Sequence, residues 1–192
     1  MDTVNYLVEH FTTLLAGGGL IAGFILIIFE SIIPALPLGV FVTLNINAFG
    51  FVLGILISWL ATCIGCYLSY LLFSAISNKF IYKHISDKRK KQLERATTKF
   101  KSIPFSNLTV IIALPFTPAF LINIASGMAG ISKKKFLLSL LIGKIFMIFF
   151  WGYVGKSLIE SITDISSIII VAIMLIVAYF ISKFVSKKAH IE

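Results

Sequence analysis

Glu30-Ser31-Ile32-Ile33-Pro34-Ala35-Leu36-Pro37 is the stretch that decides how this chain folds. It breaks the apolar segment Gly17 to Ala48 with two prolines three residues apart. A second apolar segment, Ile103 to Gly130, is broken in the same way by Leu114-Pro115-Phe116-Thr117-Pro118. Proline lacks a backbone donor and steers the residue before it away from helix, so a close pair ends one half-helix and lets the chain reverse. Both segments therefore read as hairpins with Pro-x-x-Pro tips, the alternative being a kinked ordinary span.

The surrounding composition says what medium receives these hairpins. The 192 residues are 58% hydrophobic with a mean hydropathy of +1.00, more apolar surface than a soluble domain of this size could bury in one core. A bilayer must cover the rest. Its hydrocarbon layer is ~30 Å thick, so a spanning helix needs ~20 largely apolar residues. Phe51 to Phe73, Phe136 to Gly155 and Ile165 to Ile181 meet that length with almost no ionisable side chains. The N-terminus carries Asp2 and Glu9 and no base ahead of its apolar stretch, so a cleaved signal peptide is not expected. Cys63 and Cys66 form a Cys-x-x-Cys in an apolar span and read as small residues at a helix contact rather than a redox or metal pair. His10, His84 and His190 offer no metal-ligand spacing, and no metal or cofactor is expected.

The net charge of +9 raises the question of nucleic acid, and its placement answers it. Nine of the 17 basic residues lie in Lys79 to Lys101, three are Lys133 to Lys135, and Lys183, Lys187 and Lys188 form the tail. All flank apolar runs, so the positive-inside rule assigns them to the cytoplasmic face of a plasma membrane, a bacterial one by the short loops and lysine-rich composition. Membrane lipids are the expected partners, with self-association left open and nucleic acid not expected. Threaded this way, Phe51 to Phe73 enters from outside and Phe136 to Gly155 leaves from inside. Each proline-broken segment must then start and finish on one side of the membrane, as a re-entrant hairpin does.

The expected fold is thus an all-α integral membrane protein, an inverted repeat of two re-entrant helical hairpins plus about three full transmembrane helices. An extracytoplasmic segment, 1–16, precedes a membrane domain, 17–156. That domain divides into a first repeat (17–78), a basic cytoplasmic linker (79–101) and a second repeat (102–156), and a C-terminal helix with its basic tail follows (157–192). In each unit the prolines are followed by an Asn (Asn45; Asn123), a Gly (Gly50; Gly130) and a span. Non-helical backbone at membrane depth survives only where protein covers it or a wet cavity reaches it, so broken tips imply an internal polar site.

Candidate residues for that site follow. Glu30 lies one turn before Pro34 behind an apolar run, and an unpaired carboxylate there is costly unless it takes a proton or a cation; the alternative is a position nearer the surface. Lys144 is the base placed well inside an apolar run, and could meet Glu30 or a phosphate, or snorkel to the cytoplasmic surface. Asn45, Asn47, Thr117, Asn123 and Ser126 offer neutral hydrogen-bonding groups near the tips, for a head group or for backbone freed by the prolines. Gly50, Gly54, Ser58, Thr62 and Cys66 recur every four residues and predict close helix packing, as do Gly152 and Gly155. Asp87 to Lys101 reads as an amphipathic surface helix or a docking surface. Phosphate loops, paired catalytic carboxylates and nucleophile elbows are not found, so no enzymatic activity is expected.

Glu30-Ser-Ile-Ile-Pro34-Ala-Leu-Pro37 resembles the Glu-x-x-x-Pro-x-x-Pro hairpin of the DedA/VTT-domain superfamily. Leu114-Pro-Phe-Thr-Pro-Ala-Phe-Leu-Ile-Asn123-Ile-Ala-Ser-Gly127 resembles its second hairpin, closest to the SNARE-associated Golgi protein branch. With Gly143 and Gly152-Tyr-Val-Gly155 the likeness covers about Gly17 to Lys156. It implies facing re-entrant hairpins and lipid translocation: polyprenyl phosphate recycling or phospholipid flipping in bacteria, scrambling in eukaryotes. One departure is Ile112, where the family commonly carries an Arg three residues before the first proline of the second hairpin. A mechanism built on an acid and Arg pair is thereby in doubt, and Lys144 is the candidate substitute.

The leading expectation is a lipid translocase using Glu30, Pro34, Pro37, Asn45, Pro115, Pro118, Asn123 and Lys144 around a head-group site. A small-solute or ion transporter of the same plan is the first rival, which thermal stabilisation by solutes would reveal. A non-transporting membrane-organisation protein is the second, expected to tolerate loss of Glu30 but not neutralisation of Lys88 to Lys91.

Overall fold

The computed structural model describes residues 2–33, 38–75, 97–98, 100–160, 169, 172–173, 175–181 and 183. Among the described residues the protein is all-helical, with no strand. Among the described residues, six helices are delimited: α1 (Asp2–Ile32), α2 (Leu38–Phe49), α3 (Phe51–Ala75), α4 (Phe105–Ala113), α5 (Ala119–Met128) and α6 (Lys133–Glu160). Pro34 and Pro37, most of the linker from Lys79 to Lys101, and most of the C-terminal run from Ile165 lie outside the described residues.

Helix length separates two classes. At 1.5 Å per residue, the 25 residues of α3 reach about 38 Å and the 28 of α6 about 42 Å. Both are long and apolar enough to cross a membrane, matching two of the three expected spans. The 12 residues of α2 and the 10 of α5 reach only about 18 and 15 Å, short of a ~30 Å layer. α4, at 9 residues, is shorter still. α1 breaks at Gly19, whose φ of 66° lies in the left-handed region that glycine enters freely.

The outer surface is that of a protein in lipid. On α3, Val52, Leu56, Leu60, Ile64, Leu68 and Leu72 recur every four residues and all are exposed. The small stripe Gly54, Ser58, Thr62 and Cys66 lies on the opposite face and is buried. This helix is inverted relative to one in water, with its large apolar side chains outward and its small polar ones inward. The Gly54 Cα faces the Ile46 backbone so closely that a Cβ there would stand 2.5 Å from the Ile46 Cα. Gly50, first of the predicted stripe, instead follows α2 with φ 79°, and a side chain there would point into open space.

Two interlocked units emerge from the contacts. α1 packs on α3 as α4 packs on α6, and α2 crosses to α6 as α5 crosses to α3. Individual contacts repeat in register. Gly65 meets the Ile28 carbonyl and Gly143 the Thr109 carbonyl; Trp151 packs on Gly39 and Phe73 on Phe120; Gly152 meets Ile46 and Gly127 meets Ser74. The short helices correspond with a step of 81 residues (28 to 109, 39 to 120, 46 to 127) and the long ones with a step of 78 (65 to 143, 73 to 151, 74 to 152). The step also pairs Pro34 with Pro115 and Pro37 with Pro118, as the sequence repeat does. It places Asn45 opposite Ser126 and Asn123 opposite Val42, so the two asparagines are not equivalents.

The units differ in how their short helices pack, and α2 also lies on α3 of its own unit whereas α5 has little contact with α6. α1 and α2 pack together as an antiparallel pair, with Gly23 against the Asn45 side chain and Phe49. α4 and α5 have little mutual contact and diverge onto different long helices. Pro118 stands just before α5, where a missing backbone donor costs nothing because the first helical N–H groups lack partners anyway. Tyr70 fastens the ends together, stacking on Phe136 at 4.3 Å and donating to the Ile131 carbonyl at 2.6 Å. Lys135 donates to the Ile103 carbonyl, tying the start of α6 to the start of the second unit.

Candidate functional site

A cavity of about 390 Å³ lies where both units meet. Glu30 and Ser31 reach it from the last turn of α1, Leu38 from the start of α2, and Thr62 and Cys66 from α3. Pro115 to Phe120 form another wall, and Lys144, Met147 and Trp151 of α6 close it. Glu30, Pro115, Pro118 and Lys144 are therefore brought together, although 114 residues separate the first from the last. Pro34 and Pro37 lie outside the described residues, directly between the two helices that supply Glu30 and Leu38.

Lys144 is the most unusual of these groups. Its side chain is 1% exposed, so it lies inside the protein and does not snorkel to the surface. An ammonium has three donors, and among the described residues its one hydrogen bond is to the Met147 Sδ at 3.2 Å, a weak acceptor. A cation taken out of water at that depth is costly unless something compensates it. Glu30, half-buried on the same cavity, is the charge that acts on it through space.

Further donors point the same way. Asn123 is buried with its Nδ2 unpartnered among the described residues, in a narrow recess shared with Ile112, Thr117 and Lys144. The Ser31 Oγ, also buried, has no partner among the described residues and lines the main cavity. Buried polar groups are normally paired, so an ammonium, an amide and a hydroxyl left over together mark a place where an anion or ordered water completes the set. By contrast, Asn45 is 1% exposed and donates to the Ser58 Oγ at 3.2 Å, with its other side against Gly23. It clamps α1, α2 and α3 and does not line the cavity.

Ile112 explains part of the geometry. It lines the recess beside Lys144, and Gly143 abuts it so closely that a Cβ would stand 2.9 Å from its methyl group. The α6 ammonium thus borders the position where the family resemblance places an Arg. The internal repeat adds that Glu30 corresponds to Ile111 and Lys144 to Cys66, so each unit supplies one charge of the pair. Several lining residues, Ser31, Thr62, Cys66, Met147 and Trp151 among them, were not candidates from the sequence. Thir small size assigned Thr62 and Cys66 to packing alone, though they also face the cavity; Met147 and Trp151 carried no signal, since sulfur and ring in an apolar run look like any core residue.

The model for the VTT domain matches residues 33–157, which spans both proline motifs, α3 and nearly all of α6. The chain is also similar to the uncharacterized membrane protein YhjE of Bacillus subtilis (strain 168), at 29% identity over 194 residues, covering 99% of this chain and 90% of that protein. No solved structure matches significantly. With the matched region covering most of the chain and enclosing the cavity almost entirely, this is a membrane protein that belongs to the VTT-domain family.

Proposed function

We propose that this protein is a non-enzymatic lipid translocase, moving a phospholipid or polyprenyl phosphate between leaflets of the plasma membrane through the cavity between its two units. The observation that carries this reading is the buried Lys144 ammonium, whose one hydrogen bond among the described residues is to a thioether, in a cavity that also contains Glu30. In this reading the short helices are arms of re-entrant hairpins entering from opposite faces, with the basic segments cytoplasmic, and their broken tips carry the polar cavity to the midplane. Helices too short to cross, and contacts that repeat between the units, support it.

The chemistry follows from charge balance. A phosphate head group arriving at Lys144 replaces Glu30 as its counter-ion and accepts hydrogen bonds from Asn123 and Ser31. Glu30, released, takes a proton; when the head group leaves, it gives up that proton and the carboxylate again compensates the ammonium. The site is neutral in both states, so neither leaves a bare charge in the bilayer. The acyl chains remain in lipid throughout.

The test is transfer of labelled phospholipid between leaflets of vesicles containing the purified protein. Glu30→Gln and Lys144→Met should each lower the rate by at least about tenfold, a barrier change of ~1.4 kcal/mol. Rates with unsubstituted protein equal to those of protein-free vesicles would reject the proposal. The compact cavity also admits a small anionic solute, and thermal stabilisation by such solutes but not by lipid would favour a solute transporter instead.

A further inference from the structure

A second concavity lies away from the charged cavity, on the lipid-facing side of the two long helices. It has a volume of about 410 Å³ and is lined wholly by apolar side chains, among them Val52, Leu56 and Trp59 of α3 and Ile145 and Phe149 of α6. Phe51 closes one end, and the Lys156 ammonium stands over its ring, 5.6 Å from the centroid. Lys156 is exposed, near the end of α6 and beside the beginning of α3, so it stands at the ends of both long helices. The Trp59 indole N–H donates to the Leu141 carbonyl at 3.1 Å, so its ring presents no unmet polar group to the groove.

We propose that this groove is a binding site for one anionic phospholipid of the surrounding bilayer, an acyl chain lying along Trp59 and the phosphate meeting Lys156. An interior with no polar lining can hold a chain but no head group. The volume is of the order of one chain and well short of a lipid's two. The cation at its end supplies the matching charge at the depth where a phosphate sits, and a cation at a membrane surface attracts anionic lipid. This site is separate from the proposed translocation path and depends only on the membrane location.

The two tryptophans of the chain, Trp59 and Trp151, make the proposal directly measurable. Trp151→Phe leaves Trp59 as the sole fluorophore, in vesicles of phosphatidylcholine containing lipid brominated in mid-chain. Brominated phosphatidylglycerol should quench Trp59 with about fivefold higher apparent affinity than brominated phosphatidylcholine, roughly what one basic side chain near the surface contributes. Lys156→Gln should abolish that preference, and Val52→Phe, which fills the groove, should weaken quenching by both lipids. Equal quenching by the two lipids, a preference that survives Lys156→Gln, or quenching unaffected by Val52→Phe would each overturn the proposal. So would weak quenching accompanied by a dimer in light scattering, which would assign the groove to a second copy of the chain. If the Trp151→Phe protein does not fold, subtracting the signal of Trp59→Phe from that of the unsubstituted protein isolates the same fluorescence. Transport is not read in any arm, so failure here leaves the translocase proposal standing and the reverse also holds.

Discussion

Lys144 and Glu30 are legible in the sequence because a charge in an apolar run has no cheap explanation. Their meeting is not, since nothing in the spacing of residues 30 and 144 says that α1 and α6 approach the same cavity. A buried ammonium held by a thioether stores instability for function, and this gives a prediction of two signs. Replacing both charges, Lys144→Met together with Glu30→Gln, should raise the thermal midpoint of the purified protein while lowering lipid transfer, because neutral side chains of similar size remove the desolvation cost without leaving either charge unpaired. A fall in both would instead mean that the charge serves the fold. Asn45 is the reverse case: its hydrogen bond to Ser58 predicts that Asn45→Ala destabilises by about 1–3 kcal/mol in denaturation, by leaving a buried gap and an orphaned hydroxyl, with transfer per folded molecule retained. Proximity to the tip motif suggested a binding role for it, and neighbourhood along the chain is a poor guide to which face of a helix a side chain takes.

Among the elements, small residues do the positioning. Gly65 and Gly143 occupy matched places where α3 and α6 press against the α1 and α4 backbones, with room for a hydrogen only. Gly65→Val and Gly143→Val should therefore destabilise by similar amounts, about 1–3 kcal/mol each, from overpacking against backbone that cannot yield. Chemical denaturation of the two variants in detergent checks the equality as well as the size. The every-fourth-residue stripe of α3 was readable in advance as a packing face, and Gly54, Ser58, Thr62 and Cys66 lie on it. Gly50 belonged to it by spacing but serves the turn between α2 and α3, a distinction that periodicity cannot make because a turn and a contact both favour glycine. Tyr70, which nothing in the span Phe51 to Phe73 sets apart in the sequence, is a buried fastening; Tyr70→Phe should cost about 1 kcal/mol through the lost bond to Ile131.

For the whole molecule, the re-entrant reading makes a topological prediction. In a protein with Cys63 and Cys66 replaced, single cysteines at Leu20 and Phe51 should react with an impermeant thiol reagent from the outer side, and those at Lys101 and Ser132 from the cytoplasmic side. Labelling of Leu20 and Phe51 from opposite sides would make the first hairpin a full crossing and remove the basis for a midplane cavity. Composition and charge clustering were enough to specify an all-helical membrane protein, two long spans, two proline-broken segments and their repeat. Those properties are local or additive, since length, hydropathy and proline geometry act on each segment wherever it ends up. What only the tertiary structure decided is the crossing of α5 to α3 and the reach of α2 to α6, the divergence of α4 from α5, and the union of Glu30 with Lys144 in one cavity. Those depend on how helices from distant parts of the chain interlock, and the glycines that permit each close approach reveal their partners only once both surfaces are in place.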